Sequence, residues 1–412
     1  MNRWIDSNTM CRSCQQSGLE IFLDLGETPL ADRLLTMEQI EEDEPKYPLE
    51  VAFCPNCSLV QILETVPPEV LFCDNYPYYS SFSPALLEHS KKNVDCLIKS
   101  RNLNSKSFVI ELASNDGYLL KNYVEQNIPC MGIDPADGPA LAAEKIGVPT
   151  LKKFFTKELA IQLRGEGRAV DIIHANNVLA HVKNTNDFVE GIGIILKDNG
   201  VAIIELPYLK NLIENCEFDT IYHEHLCYFS VTALDKMFRR HSLFLNEIEP
   251  LSIHGGSLRL YIGKEEKISS SVQSLLTDEK TVGIDKLDYY RNFASQVQKV
   301  KDSLLNFLSY EKSTGKRIAA YGAAAKGSTL INHVGIGKEF IDFVVDRNTY
   351  KQGKYMPGKK LPIYAPERLL EELPDYVLLL AWNFADEILQ QQVEFRKKGG
   401  KFIIPVPELK II

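Results

Sequence analysis

The sequence predicts an α/β protein in three parts, a small cysteine-rich module followed by two domains that each contain a parallel sheet. The first ~75 residues hold two CxxC pairs and too little apolar sequence for a core of their own. Short apolar strands alternate with helices from Phe108 and again from Arg317. This alternation is typical of parallel, Rossmann-like sheets. We therefore expect domains at 1–75, 76–283 and 284–412, the last beginning with a helical spacer.

Composition and charge exclude several classes of protein. Apolar residues make up 45% and charged residues 25% of the 412 residues, a balance typical of globular proteins. With a net charge of −9, we expect no nucleic-acid partner. No apolar run approaches the ~20 residues that span a bilayer. The N-terminus MNRWIDSNTM lacks the apolar core of a secretory signal, so we expect a cytoplasmic protein without membrane association.

The two CxxC pairs predict a metal site. They consist of Cys11 with Cys14 and Cys54 with Cys57. Four thiolates at this spacing suit a closed tetrahedral Zn²⁺ site with no open position for catalysis. Redox-active or incidental cysteines are the alternative interpretation. The remaining five cysteines are interpreted as small apolar residues.

A turn of small residues after the first of these short strands predicts a cofactor site. The turn follows the strand Phe108–Leu112 and opens a helix, and Asp134 ends the next strand. An acid there can accept hydrogen bonds from the two ribose hydroxyls of an adenosine group. NAD and S-adenosylmethionine both fit, but Glu111 favours a cationic sulfonium over a pyrophosphate. The predicted cofactor-binding residues are Glu111, Ala113, Ser114, Asn115, Asp116, Gly117, Asp134, Pro135, Asn176, Asn177 and Val178.

The segment Tyr222-His223-Glu224-His225 concentrates acid and base groups. It lacks the HExxH spacing of a helical zinc site. A histidine can take a proton from the carbon beside a ketone, and a tyrosine hydroxyl can stabilise the enolate oxygen. Any one of these histidines could instead be a satisfied core residue.

A second strand–turn–helix entry lies at Tyr321–Ser328. Its small residues allow backbone amides to approach a phosphate, and Lys326 adds a positive charge. Such alanine-rich turns also serve helix–strand packing alone, so the pattern leaves both interpretations open.

Taken together, the motifs resemble one enzyme family. The matching segments, in order along nearly the whole chain, are CRSC, CPNC, YYSSFSP, ELASNDGYLL, GIDPA, ANNVLAHV, YHEHLCYFS, HGGSLRLY and YGAAAKGSTLINH. They are similar to the three-domain sugar C-methyltransferases, nearest to the C-3′-methyltransferases of tetronitrose-type pathways. The resemblance implies an N-terminal zinc module, a class I methyltransferase domain and a C-terminal Rossmann-like domain that helps to hold a nucleotide-linked 4-keto-deoxysugar.

The resemblance also implies roles for individual residues. His225 would be the base, oriented by Glu224, while Tyr76 and Tyr222 would contact the sugar or its enolate. His181 would lie near the sulfonium. The residues expected to contact the nucleotide sugar are Tyr78, Ser80, Tyr321, Lys326 and Asn383.

Two other functions remain open from the residues alone. One is an NAD-dependent nucleotide-sugar oxidoreductase or epimerase, which Glu111 and the absence of GxGxxG oppose. The other is a non-catalytic zinc-containing binding protein. The sequence leaves open the nucleotide, the decoration of the sugar and the choice between C-3′ and C-5′, and we expect a monomer or weak homodimer.

Overall fold

The computed structural model describes residues 9–67, 70–71, 79–251 and 256–412. Its strands are β1 (Glu20–Thr28), β2 (Tyr47–Phe53), β3 (Val60–Ile62), β4 (Val109–Leu112), β5 (Cys130–Ile133), β6 (Thr150–Leu151), β7 (Val170–Asn176), β8 (Leu196–Pro207), β9 (Cys227–Tyr228), β10 (Phe244–Leu251), β11 (Ser257–Gly263), β12 (Ile318–Tyr321), β13 (Val344–Val345), β14 (Ile363–Tyr364), β15 (Tyr376–Leu379), β16 (Lys401–Ile404) and β17 (Lys410–Ile411). Its α-helices are α1 (Pro84–Arg101), α2 (Lys121–Glu125), α3 (Asp137–Lys145), α4 (Lys157–Gly165), α5 (Thr185–Ile195), α6 (Leu209–Glu214), α7 (Val231–Arg240), α8 (Ser270–Val282), α9 (Leu287–Ser313), α10 (Ala325–Val334), α11 (Arg368–Glu372), α12 (Ala385–Gln391) and α13 (Val393–Lys397). Within these described ranges, no helix is long and apolar enough to cross a membrane.

The first sheet belongs mainly to the cysteine-rich module. Its order is β1-β2-β3-β9, and all three pairings are antiparallel. β9 comes from the second predicted domain, directly after the Tyr222–His225 segment, and pairs with β3. The segment that carries the predicted base is therefore joined to the module by main-chain hydrogen bonds.

The second sheet confirms the predicted parallel α/β domain. Its order is β10-β11-β8-β7-β4-β5-β6, with five parallel strands and the antiparallel pair β11 and β10 at one edge. The predicted strand Phe108–Leu112 is confirmed as β4, and the next predicted strand, which Asp134 ends, is confirmed as β5. β10 and β11 were not predicted. The carboxyl ends of β4, β5 and β7 meet at one edge, where parallel sheets bind their ligands.

The third sheet confirms a second Rossmann-like unit. Its order is β14-β13-β12-β15-β16-β17, and every pairing except that of β17 is parallel. β13 is only two residues long, and both of them, Val344 and Val345, pair with β12 on one side and β14 on the other. The small-residue turn that follows β12 leads into α10, as predicted.

The predicted spacer between the two larger sheets is one 27-residue helix, α9. It does more than separate domains, because the Tyr290 ring packs 5.0 Å from Phe22 and 5.1 Å from Phe53 of the first sheet. One contiguous cluster of buried apolar side chains includes Leu19 and Val406, and residues of all three sheets belong to it. The domain boundaries 1–75, 76–283 and 284–412 stay predictions.

Candidate active site

The four cysteines of the two CxxC pairs form a compact cluster. Their sulfurs all lie within 4.8 Å of one another, and the Sγ–Sγ distance is 3.5 Å for Cys11 with Cys57 and for Cys14 with Cys54. Four sulfurs at ~2.3 Å from a tetrahedral Zn²⁺ are ~3.8 Å apart. The cluster therefore fits a closed structural zinc site, with Cys11, Cys54 and Cys57 buried.

The turn after β4 adopts the backbone of a glycine-rich loop although Gly117 is its one glycine. Ala113 and Asn115 have φ of 55° and 49°, and Gly117 has φ of 76°. Left-handed conformations are costly for residues with a Cβ and are concentrated at ligand sites. Asp134 supports the turn, because its two carboxylate oxygens accept hydrogen bonds from Asn115 N at 2.8 Å and Ala136 N at 2.9 Å.

Around this turn, buried acceptors lack donors. Within the described part of the chain, no hydrogen-bond partner is found for Glu111 Oε2, Asp116 Oδ1 or Asn176 Oδ1. Burial, reinforced by the charges of Asp134, Asp116 and Glu205, raises the pKa of Glu111 well above its usual value. A cationic ligand with an ammonium group would satisfy these oxygens, whereas a pyrophosphate would be repelled. The residues therefore fit S-adenosylmethionine.

Asp134 provides a direct test of the cofactor site. We expect Asp134→Ala to weaken S-adenosylmethionine binding by about 10- to 100-fold, since a hydrogen bond to a charged group contributes ~1.5–3 kcal/mol. Titration calorimetry would measure this change, with Asp137→Ala as the matched control because the Asp137 side chain is 82% exposed. A change in affinity for the acceptor substrate with unaltered cofactor binding would contradict the assignment.

His225 is held in one tautomer by the main chain. Its Nδ1–H donates to the Thr220 carbonyl at 2.9 Å, which leaves Nε2 with a lone pair that can accept a proton. The Tyr222 hydroxyl lies 3.1 Å from Nε2. Burial, together with nearby His181 and Lys326, lowers the His225 pKa to about 3. The imidazole is consequently neutral at physiological pH, which is the protonation state in which Nε2 can take a proton.

His181 and His223 hold the same segment from two sides. His181 Nδ1–H donates to the Glu224 carbonyl at 2.6 Å, and its ring lies 4.7 Å from that of His225. His223 is fully buried, and its Nε2–H donates to the Pro48 carbonyl of β2 at 3.1 Å. His223 therefore anchors the segment on the zinc module, while His181 lies beside the predicted base.

Glu224 does not occupy the position expected from the sequence. The Thr220 carbonyl, and not the Glu224 carboxylate, contacts the Nδ1 of His225. The Glu224 carboxyl is buried, and burial together with the negative charge of Asp32 raises its pKa to about 8. Lys351 lies close enough to lower the pKa of Asp32, which burial otherwise raises. Asp32, Glu224 and Lys351 are far apart in the sequence, so the N-terminal, middle and C-terminal parts of the chain meet beside the Tyr222–His225 segment.

The C-terminal domain contributes a basic group, Lys326, whose charge acts on His225. Lys326 Nζ donates to Asn383 Oδ1 at 3.1 Å and lies 4.4 Å from the centre of the Trp382 ring. The structure thus brings two predicted substrate-binding residues together. Tyr321 differs from the prediction, because its ring is 4% exposed and packs in the core of the third sheet.

The other predicted site residues differ in where the structure places them. Ser80 is buried against the cofactor turn, where its N–H donates to Asn115 Oδ1 at 2.9 Å. Tyr76 and Tyr78 lie outside the described residues. Pro135, Asn177 and Val178 lie at the carboxyl ends of β5 and β7, beside Asp134 and Asn176. Asp32, Thr220 and Lys351 were missed, because their relation to the motif depends on long-range folding or on a main-chain carbonyl.

Comparison with known proteins gives a consistent assignment along the chain. Three family models match in order: a "zinc binding domain" at residues 11–72, a "Methyltransferase domain" at 89–243 and a "C-methyltransferase C-terminal domain" at 252–407. C-methyltransferase NovU of Streptomyces niveus is 33% identical over 405 residues, which cover 98% of this chain and 96% of the relative.

Solved structures resemble part of the chain only weakly. Magnesium protoporphyrin IX methyltransferase (ChlM) from Synechocystis PCC 6803 with bound SAM has a TM-score of 0.34 and 11% identity, covering 43% of this chain and 79% of that chain. An S-adenosylmethionine-dependent methyltransferase from Clostridium acetobutylicum has a TM-score of 0.36 and 12% identity, covering 44% and 92%. The assignment rests on the family models and on NovU.

The cofactor turn and the cysteine cluster, with these matches, define an S-adenosylmethionine-dependent methyltransferase that carries a zinc-binding domain. More specifically, the chain belongs to the C-methyltransferase family represented by NovU. The oxidoreductase and non-catalytic alternatives are therefore set aside.

Proposed function

We propose that this C-methyltransferase methylates a ring carbon, C-3′, of a nucleotide-linked 4-keto-deoxysugar through an enolate, as a step in branched-chain sugar biosynthesis. The observation that carries the proposal is the neutral His225 imidazole, whose Nε2 lies beside the Tyr222 hydroxyl and whose ring packs against His181. A carbon beside a ketone is acidic enough for such a base once the enolate oxygen is stabilised. The three-domain sugar C-methyltransferase resemblance supports the same substrate class.

In this mechanism the chain's residues position the acceptor and move one proton. His225 Nε2 removes the proton from the carbon beside the ketone, and the electron pair of that C–H bond forms the enolate. The Tyr222 hydroxyl donates to the enolate oxygen, and His181 packs against the base. Glu111, Asp134 and the 113–117 turn would hold S-adenosylmethionine, which supplies a methyl group on a positively charged sulfur when bound.

The contact between Lys326 and Asn383 favours binding of the nucleotide by the C-terminal domain. Lys326 would supply the positive charge for a phosphate beside the turn after β12, and its ammonium is oriented by Asn383. We further propose that the protein acts in the cytoplasm as a monomer or weak homodimer.

The pH dependence of the reaction should reflect the burial of the base. The base must be neutral, and burial lowers the His225 pKa to about 3, so the neutral form persists on acidification far below the ordinary ~6.5. We expect kcat/KM to show no histidine limb near pH ~6.5. A protonation limb near that pH in the wild type, absent from the His225→Asn variant, would contradict a desolvated base.

Product analysis tests the proposed function. Purified enzyme would be incubated with methyl-¹³C-labelled S-adenosylmethionine and a panel of dTDP- and GDP-linked 4-keto-deoxysugars, with and without a 3-amino group. Mass spectrometry would detect the added methyl group, and NMR would locate it. We expect the label on C-3′. Label on C-5′ would contradict the proposed site of methylation, and label on oxygen or nitrogen would refute C-methylation of the sugar.

A further inference from the structure

A short 3-10 turn, Phe218–Thr220, precedes the motif that carries the base and receives contacts from the C-terminal domain. Trp382 Nε1–H donates to Asp219 Oδ2 at 2.6 Å. The Phe218 ring packs edge-on against His333 of α10 at 5.5 Å between centroids. The turn is therefore held by side chains that lie more than a hundred residues further along the chain.

The Trp382 bond is the side-chain hydrogen bond of Asp219, which otherwise has the charge of Lys326 and its own main-chain N–H nearby. Asp219 is completely buried, and among the residues that the structure describes its Oδ1 has no hydrogen-bond partner. A buried carboxylate with an incomplete set of donors is sensitive to the loss of any one of them. The indole N–H of Trp382 thus fixes the side chain, and with it the backbone of the turn.

The same turn sets the orientation of the base. Thr220, the residue after Asp219, presents the carbonyl that accepts the Nδ1–H of His225 at 2.9 Å. This bond selects the tautomer with a free lone pair on Nε2. A rotation of the turn would move the Thr220 carbonyl and release the imidazole from this tautomer.

Trp382 also contacts the basic group of the C-terminal domain. Its ring lies 4.4 Å from Lys326 Nζ, and the neighbouring Asn383 accepts a hydrogen bond from the same ammonium. One indole therefore touches Lys326 on one side and Asp219 on the other. The contacts form a continuous path from the C-terminal domain to His225.

We propose that Trp382 is a positioning residue for His225, which acts through Asp219 and Thr220 and makes the geometry of the base depend on the docking of the C-terminal domain. The inference rests on the proposed function only in that His225 is the base. The hydrogen-bond path itself is independent of the substrate.

The first test measures the imidazole without any substrate. In the full-length zinc-loaded protein with S-adenosylhomocysteine, ¹⁵N NMR of labelled histidine would report the His225 tautomer, with His225→Asn used to assign the signal. We expect the Nδ1–H tautomer in the wild type and a shift toward a tautomer mixture in Trp382→Phe, which removes the N–H donor. Phe384→Leu is the matched control, because Phe384 lies on the same short 3-10 turn as Trp382 and is 51% exposed. This variant should behave as the wild type.

The second test uses a double-mutant cycle on turnover. We expect Trp382→Phe and Asp219→Leu each to lower kcat by about 10²-fold with the S-adenosylmethionine KM unchanged, as expected for a misplaced catalytic group. The double variant should lose little more, since both changes break one path. Asp219→Asn, which keeps an acceptor for the indole, should retain most of the activity.

The outcomes separate this inference from the proposed function. An unchanged His225 tautomer in Trp382→Phe, or fully additive losses in the cycle, would overturn the positioning role even if ketosugars are methylated. A tautomer shift in a protein that methylates no ketosugar would support the path and overturn the proposed substrate.

Discussion

We expect His225→Asn to lower kcat by about 10²–10⁴-fold, the usual contribution of a well-placed general base. Asparagine can still occupy the space beside Tyr222, but it has no nitrogen that can take a proton at neutral pH. The cofactor is held by other residues, so its affinity should stay nearly unchanged. A steady-state comparison of kcat with cofactor affinity from calorimetry would separate these two effects.

Two neighbouring substitutions serve as controls for His225. Tyr222→Phe should cost less than His225→Asn, because it removes one donor to the enolate and leaves the proton acceptor in place. His223→Asn removes the bond to the Pro48 carbonyl, so its effect should appear as a lower unfolding temperature, with turnover per folded enzyme largely kept. Near wild-type turnover in His225→Asn, with none in His223→Asn, would reverse the roles assigned within the motif.

The second large effect is expected at the cysteine cluster. Cys54→Ser removes a buried ligand, and structural zinc contributes ~10–16 kcal/mol to the folding of isolated zinc-finger peptides. The cysteine knuckles hold their loops through the metal, so we expect loss of the bound zinc and destabilisation of the module. Metal analysis and a thermal melt would measure both.

Loss of the zinc should also reach the active site. β9 pairs with β3 of the module, and His223 is anchored on β2, so unfolding of the module would release the segment that carries His225. Cys96→Ser is the control, because Cys96 is an exposed cysteine outside the cluster, and it should leave zinc content and activity unchanged. A Cys54→Ser protein with full zinc content and an unchanged melting temperature would contradict the assignment of the ligands.

Short-range motifs made the largest part of the site predictable. The functional side chains of each motif are only a few residues apart, so local spacing fixes their geometry. This holds for the CxxC pairs, the 113–117 turn and the Tyr222–His225 segment. Asp134 could be predicted as well, because the acid at the end of the second strand in a parallel sheet returns to the same edge as the first turn.

The partners of His225 could not be predicted in the same way. The residue that orients it is a carbonyl, that of Thr220, and main-chain groups leave no signature in a sequence. Asp32 and Lys351 approach Glu224 only after three separate sheets have docked. The family resemblance implied that Glu224 orients His225, but the Nδ1 of His225 instead contacts the Thr220 carbonyl.

Two features of the fold were missed for a related reason. β9 is a two-residue strand that leaves its own domain to pair with the zinc module, and such a short pairing has no periodicity to detect. The family resemblance implied that Tyr321 contacts the nucleotide sugar. Its position in β12 instead turns the ring into the core of the third sheet.

Hydrogen exchange at the acceptor carbon tests the central claim most directly. The enzyme would be incubated in D₂O with S-adenosylhomocysteine and the ketosugar that it methylates, so that enolisation is possible but methyl transfer is not. We predict that the wild type incorporates deuterium at the carbon that becomes methylated, and that His225→Asn does so about 10²–10⁴-fold more slowly. Equal exchange rates in the two proteins would contradict the assignment of His225 as the base.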